Sequence, residues 1–220
     1  MPERALWWAA ARTLFIADTH FGKAAAFRNA GLPVPEGVTA ADTHRLESLV
    51  RRTAAERLVI LGDFFHAPAG RVPVMEGCLH AWRASCSSLD VLLVRGNHDR
   101  GSGDPPAEWN IRTVEPGGRL GPFILTHTPD EAAAFTGAAT LCGHVHPAVR
   151  LEDPRRGDGA RLACFLFGPN TAILPAFGRF TGFGTIRPRR SDRVFVIADD
   201  QVIDVSPAPR PTEPAPADAR

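Results

Sequence analysis

The sequence predicts an α/β fold, and three observations carry that expectation. Apolar runs of strand length recur along the chain. They are nearly continuous instead of alternating with polar residues, which suits strands covered on both faces. In the first half, amphipathic helical stretches separate them. The runs are TLFIAD (13–18), RLVILGD (57–63), DVLLVRGN (90–97), PFILTH (122–127) and AATLCGH (138–144).

Taken in order, the opening MPERALWWAAAR reads as a strand and turn leading into Leu14. Arg4 before a short apolar stretch also suggests a secretory leader, but the stretch is too short and Glu3 and Arg12 interrupt it. Residues 41–57 place Leu46, Leu49, Val50 and Ala54 at helical spacing, with Asp42 expected as the N-cap. A second, weaker helix is expected over 74–85. The second half changes to short strands: RLACFLFG (161–168), TAILPAFG (171–178) and DRVFVIADDQVIDV (192–205), the last folded as a hairpin at Asp199-Asp200. One domain over residues 1–205 is expected. Residues 206–220 form a Pro/Ala-rich tail without an apolar pattern, expected to be disordered.

The 220 residues suffice for a substantial core, and 44% hydrophobic against 22% charged residues is ordinary for a globular protein. A net charge of +1 gives no global field for nucleic acid, so a polyanion would need a local positive feature. No apolar run approaches a membrane span. Four cysteines without a C-x-x-C pairing suggest reduced thiols and a cytoplasmic protein. Of 25 basic residues only Lys23 is a lysine, and it directly follows the first polar cluster.

That cluster is the first of five. Asp18 and His20 close the run 13–18 and its extension. Two residues apart on an extended chain, they would share a face and could hold one ion, although an Asp at a strand end also serves as a helix cap. Asp63 ends the second run, Asn97, His98 and Asp99 the third, and His127 the fourth, while His144 and His146 follow the fifth. Ligands in open α/β sheets bind at the carboxyl ends of strands. Carboxylates, imidazoles and an amide oxygen without a thiolate suit divalent ions such as manganese, iron or zinc. The donors suffice for two ions, which at about 3.5–4 Å apart would clamp an in-line displacement at phosphorus. Loaded with two ions, such a centre is the positive feature the chain otherwise lacks. His98, beside a ligand, is expected to face the substrate as general acid, with Asp99 orienting its imidazole.

In order, D-x-H, G-D, G-N-H-D, a lone H and G-H-x-H resemble the calcineurin-like metallophosphoesterase superfamily over residues 13–150. The resemblance implies a four-layer α/β/β/α sandwich of two mixed β-sheets flanked by helices. It implies one ion on Asp18, His20, Asp63 and His146, and a second on Asp63, Asn97, His127 and His144. More narrowly, ADTHFGKAAAFRNAGLPVP, GDFFH, GNHDR, GHVHPAVRL and LPAFGRFTG resemble the bacterial ligase-associated DNA damage response metallophosphoesterases. That group implies a manganese-dependent DNA nuclease of DNA repair, in functional association with a ligase, a helicase and an exonuclease. Thr19 and Phe21 stand where that group usually has leucines, and a buried Thr19 hydroxyl needs a partner.

Other candidates are weaker signals. His66 could contact the phosphodiester or support a ligand, and it could equally be a histidine satisfied in its turn. Lys23, Arg28 and Arg100 are candidates for flanking phosphates. Arg179 and Phe180, in a Gly-rich turn, are candidates for substrate contact, whereas Phe165 and Phe167 are expected in the core. The expected function is a dinuclear phosphodiesterase, a DNA endonuclease attacking phosphorus in line with a hydroxide shared between two manganese ions; iron, zinc or cobalt could replace them. The alternatives are a phosphatase or phosphodiesterase for a nucleotide or other small phosphoester, and a non-catalytic scaffold for protein binding.

Overall fold

A computed structural model describes residues 1–152 and 159–207. From residue 208 the expected tail lies outside the described residues. The first sheet begins with β1 (Leu6–Trp8), which turns through a short 3₁₀ segment and pairs antiparallel with β2 (Thr13–Ile16). Parallel to β2 run β3 (Arg57–Leu61), β4 (Asp90–Val94) and β5 (Ile111–Val114), in the order β1-β2-β3-β4-β5. The crossovers are α1 (Lys23–Asn29) with α2 (Val38–Thr53), then α3 (Pro73–Ser85), then the short α4 (Asn97–Ser102).

The continuous apolar runs are explained by what lies on either side. Leu14, Ile16, Leu58, Ile60, Val91 and Leu93 face the helices, packing on Leu46 and Leu49 of α2 and Met75, Leu79 and Trp82 of α3. Their neighbours Phe15, Val59, Leu61, Leu92 and Val94 face a second sheet. Each such side chain withdrawn from water is worth about 1.5–3 kcal/mol, and a polar residue is accommodated only with a hydrogen-bond partner, as Thr13 has in Ala11 O.

The second sheet contains β6 (Gly118–Leu120), β7 (Phe123–Leu125), β8 (Ala139–Cys142), β9 (Pro147–Glu152), β10 (Gly159–Phe167), β11 (Thr171–Ile173) and β12 (Gly184–Thr185). Its order is β12-β9-β10-β11-β8-β7-β6, with parallel and antiparallel pairs mixed. Helix α5 (Pro129–Ala133) lies against β8 and β11. The hairpin of β13 (Arg193–Ala198) and β14 (Gln201–Asp204) turns at Asp199-Asp200, as the sequence predicts, and joins β10. Leu125, Leu141, Phe165, Ala172 and Leu174 close the core between the sheets, with Phe167 packed against them. The architecture is mixed α/β, two mixed sheets with helices. Among the described residues, no helix is long and apolar enough to cross a membrane.

One expectation fails in α2. The helix starts four residues before Asp42, with Gly37 in the left-handed region as its N-cap. Asp42 is therefore not a cap. It is buried in the helix, 3.1 Å from the Arg45 guanidinium, and accepts a hydrogen bond from the Arg179 N–H at 3.2 Å. Burial raises its pKa, against the pull of Arg45. Arg45 in turn stacks over the Phe177 ring at 4.1 Å and donates to the Phe177 carbonyl, so the two residues fasten the 176–179 turn to α2.

Candidate metal centre

The loops after β2, β3, β4, β7 and β8 all open on one rim between the sheets. Hydrogen bonds continue the β2/β3 pairing past the strand ends: Asp18 N–H to Gly62 O at 3.1 Å, His20 N–H to Asp63 O at 2.9 Å and Phe21 N–H to Phe64 O at 2.8 Å. The buried Thr19 hydroxyl finds its partner here, donating to Phe64 O at 2.9 Å. Asp18 and His20 do not share a face of extended chain, as their spacing suggests. β2 ends at Ile16, and both residues lie in the left-handed region, at φ 52° and 46°. Asp63 (53°), His144 (69°) and His146 (49°) do the same. Each such non-glycine residue costs about 1–2 kcal/mol, a conformational strain typical of functional sites. The tight turns also explain two glycines. A Cβ on Gly62, itself at φ 82°, would strike the His127 imidazole, and one on Gly143 would meet the Asp18 carboxylate at 2.5 Å.

Asp63 sits at the middle of the rim. Its Oδ2 is 3.7 Å from His20 Nε2 and its Oδ1 3.4 Å from His127 Nε2. On one side His20 Nε2 and His146 Nε2 are 3.2 Å apart, and His146 Nε2 is 3.6 Å from Asp18 Oδ1. On the other, His127 Nε2 lies 2.9 Å from Asn97 Oδ1 and 3.1 Å from His144 Nδ1. The donor atoms of Asp18, His20 and His146, and those of Asp63, His127 and His144, each fall within 4.8 Å of one another. All seven predicted ligand residues are thus brought together.

The set fits divalent cations. Asp18 Oδ1 is buried without a hydrogen-bond partner, a costly state for a carboxylate unless a cation faces it. His127 Nδ1–H donates to Leu61 O at 3.0 Å and His146 Nδ1–H to Gly182 O at 3.2 Å, which turns both Nε2 atoms inward. Burial drives the His20 pKa down to about 3, keeping its ring neutral and its lone pair available. For His127, burial is outweighed by the hydrogen bond and charge of Asp63 and by Asp18, and the pKa rises to about 9. In the metal-free chain a proton there supplies the positive charge that the carboxylates demand. Asp63 answers in kind: burial would raise its pKa, but His127 and the His98 N–H bring it below the usual carboxylate value.

The family model for the calcineurin-like phosphoesterases matches residues 11–146, the span that carries all these donors. The chain belongs to that family. A crystal structure of Pseudomonas putida nuclease MPE is 38% identical over 93% of this phosphoesterase and 93% of that chain, with a TM-score of 0.80. Yfce, a phosphoesterase from E. coli, is 15% identical over 88% of this chain and 92% of its own, with a TM-score of 0.43. No curated relative matches the sequence.

The phosphoesterase departs from expectation at Asp99. Its carboxylate does not orient the His98 imidazole. It is buried, and Oδ1 accepts the Phe65 N–H at 3.1 Å while Oδ2 accepts the Gly96 N–H at 2.9 Å. Burial raises its pKa, against the pull of these two N–H groups. Asp99 therefore ties the loops after β3 and β4 together. Asp99→Ala is expected to leave two buried N–H groups unpaired and to lower stability by about 3 kcal/mol, measured by urea unfolding; an unchanged midpoint would sink this role. The His98 ring is instead oriented by a backbone group: Nδ1–H donates to the His66 carbonyl at 2.6 Å. The His66 ring stacks on it, with centroids 5.0 Å apart and planes at 23°. A main-chain carbonyl has no residue signature, so sequence reasoning had no means of finding this contact. Burial, with the charges of Lys23 and His98, lowers the His66 pKa to about 4.

Two phosphate candidates are already engaged. Arg28 donates to Val34 O at 3.4 Å and Pro35 O at 3.0 Å, bracing its own loop. Arg100 pairs with Glu115 at 2.6 Å. The Arg179 side chain is exposed and makes no contact with the donors among the described residues, although its N–H holds Asp42. Lys23 and Phe180, in contrast, stand beside the centre. They line a narrow cleft with His20, Thr19 and Thr39.

Proposed function

We propose that this chain is a divalent-metal-dependent phosphodiesterase that cuts DNA internally, with manganese as its ion and DNA repair as its setting. The observation that supports the chemistry is Asp63, whose two oxygens face separate clusters of donors. In this reading Asp18, His20, Asp63 and His146 hold one ion, and Asp63, Asn97, His127 and His144 the other. Bound there, the ions supply Lewis acidity at the phosphoryl oxygens and lower the pKa of water towards neutrality. The likeness to the P. putida nuclease supports nucleic acid as the substrate. So does the exposure of Asn97 and His144, which leaves that side of the rim open to a polymer.

The chain's own part in turnover centres on His98. With Nδ1 committed to the His66 carbonyl, Nε2 is the atom left to carry a proton to the departing oxygen. The His98 N–H simultaneously donates to Asp63 Oδ1 at 2.9 Å, which ties the acid's backbone to the central carboxylate. Cytoplasmic location, read from four cysteines without a C-x-x-C pairing, and association with a ligase, a helicase and an exonuclease, read from the resemblance of the motifs alone, complete the proposal.

The test is a substrate panel with purified protein supplied in turn with manganese, cobalt, zinc or magnesium. Closed circular DNA, RNA, a small phosphodiester and a phosphomonoester are compared. Nicking of the circle, strongest with manganese and abolished by chelation, is expected. Monoester turnover with no DNA cleavage under any ion overturns the reading in favour of a small phosphoester.

A further inference from the structure

One flank of the centre holds a group of side chains that neither the ion cage nor the proton transfer uses. Lys23 is the only lysine in the chain. It is half-buried, and burial lowers its pKa. Among the described residues its ammonium has no carboxylate in ion-pair range. It sits over the Phe27 ring, 5.8 Å from the centroid. An ammonium withdrawn from water without a counter-ion is poorly solvated, and an incoming anion would repair that.

Phe27 links this cation to the chemistry. Its ring meets Phe180 edge to face at 5.5 Å and His66 at 6.0 Å, and His66 stacks on His98. Phe27 and Phe180 are both partly exposed, unlike the core rings Phe15, Phe64 and Phe177. A point charge and two partly exposed rings within one short span match a nucleotide, with its phosphate on the cation and its base against the rings.

We propose that Lys23, Phe27 and Phe180 form a subsite for the nucleotide next to the scissile phosphate, on the flank where His66 and His98 lie. The Lys23 ammonium takes the neighbouring phosphate and the two phenylalanines take its base or sugar. This rests on the nucleic-acid reading above and sharpens it: the preferred substrate is an oligonucleotide with a nucleotide on that flank, not an isolated diester. Arg28 and Arg100, both engaged elsewhere, have no part in it.

The test compares a ten-nucleotide single strand with methyl p-nitrophenyl phosphate, a diester without a flanking nucleotide, using manganese-loaded protein. Lys23→Ala is expected to raise KM for the strand about tenfold, the effect of one charged contact. It should also reduce the slope of log KM against log salt by about 0.7, the loss of one phosphate contact. Lys23→Arg should restore most of both. Phe180→Ala, and Phe27→Leu as a variant that keeps the apolar packing, should each weaken the strand by about tenfold while leaving the salt slope in place. For Lys23→Ala, Phe27→Leu and Phe180→Ala alike, kcat/KM should fall far more for the strand than for the small diester. Equal losses on the two substrates, or an unaltered salt slope in Lys23→Ala, overturn the subsite. Wild-type protein that hydrolyses the small diester but never the strand overturns the nucleic-acid reading and the subsite with it.

Discussion

Asp63→Asn is expected to lose divalent metal from both halves of the centre and about a thousandfold or more in diester hydrolysis. The substitution is nearly isosteric and leaves an oxygen to accept the His98 N–H, now 2.9 Å from Oδ1, so the loops should keep their places. What disappears is the negative charge between His20 at 3.7 Å and His127 at 3.4 Å. An ion that stabilises transition-state charge is worth several kcal/mol, and about 4 kcal/mol corresponds to a thousandfold. Metal content by mass spectrometry, with circular dichroism as a control for folding, checks the result. A variant that retains two ions per chain and wild-type turnover would remove Asp63 from its central place.

His98→Ala should behave differently, keeping its metal while losing about 10²–10⁴ in kcat towards a phosphodiester with a sugar leaving group. The reason is that His98 contributes to the centre through its backbone N–H, which alanine also possesses. Only the imidazole is removed, and with it the proton for the departing alkoxide. The loss should therefore depend on the leaving group. A p-nitrophenolate, which departs without protonation, should suffer much less than a sugar oxygen. Equal losses for both leaving groups would argue that His98 positions the substrate and does not protonate it.

The centre was legible in the sequence because its donors stand where apolar strands stop, and strand ends are easy to see. Backbone conformation was not. Asp18 and His20 look like alternate residues of an extended chain, whereas the folded backbone holds both in the left-handed region. Partnerships between distant polar groups were equally hidden. Arg28 and Arg100 look free in sequence, yet a carbonyl pair and Glu115 engage them. Asp42 reads as the cap of its helix, but tertiary packing turns it and Arg45 inward onto the 176–179 turn. Asp99 resembles a partner for its neighbour and instead spends both oxygens on backbone. In the fold, long buried strands were plain. β6 and β12, of three and two residues, carry too little pattern to be read, and their existence depends on the strands beside them.

The left-handed backbone at Asp18, His20, Asp63, His144 and His146 also bears on how such a protein ages in evolution. Glycine would be comfortable at all five positions, so selection for folding alone pulls each of them away from an acid or an imidazole. A descendant relieved of its chemistry should decay there first, ahead of the hydrophobic interior, and turn up with small or amide residues around an intact scaffold. Persistence of all five side chains in a lineage is then a sign that the cations are still in use.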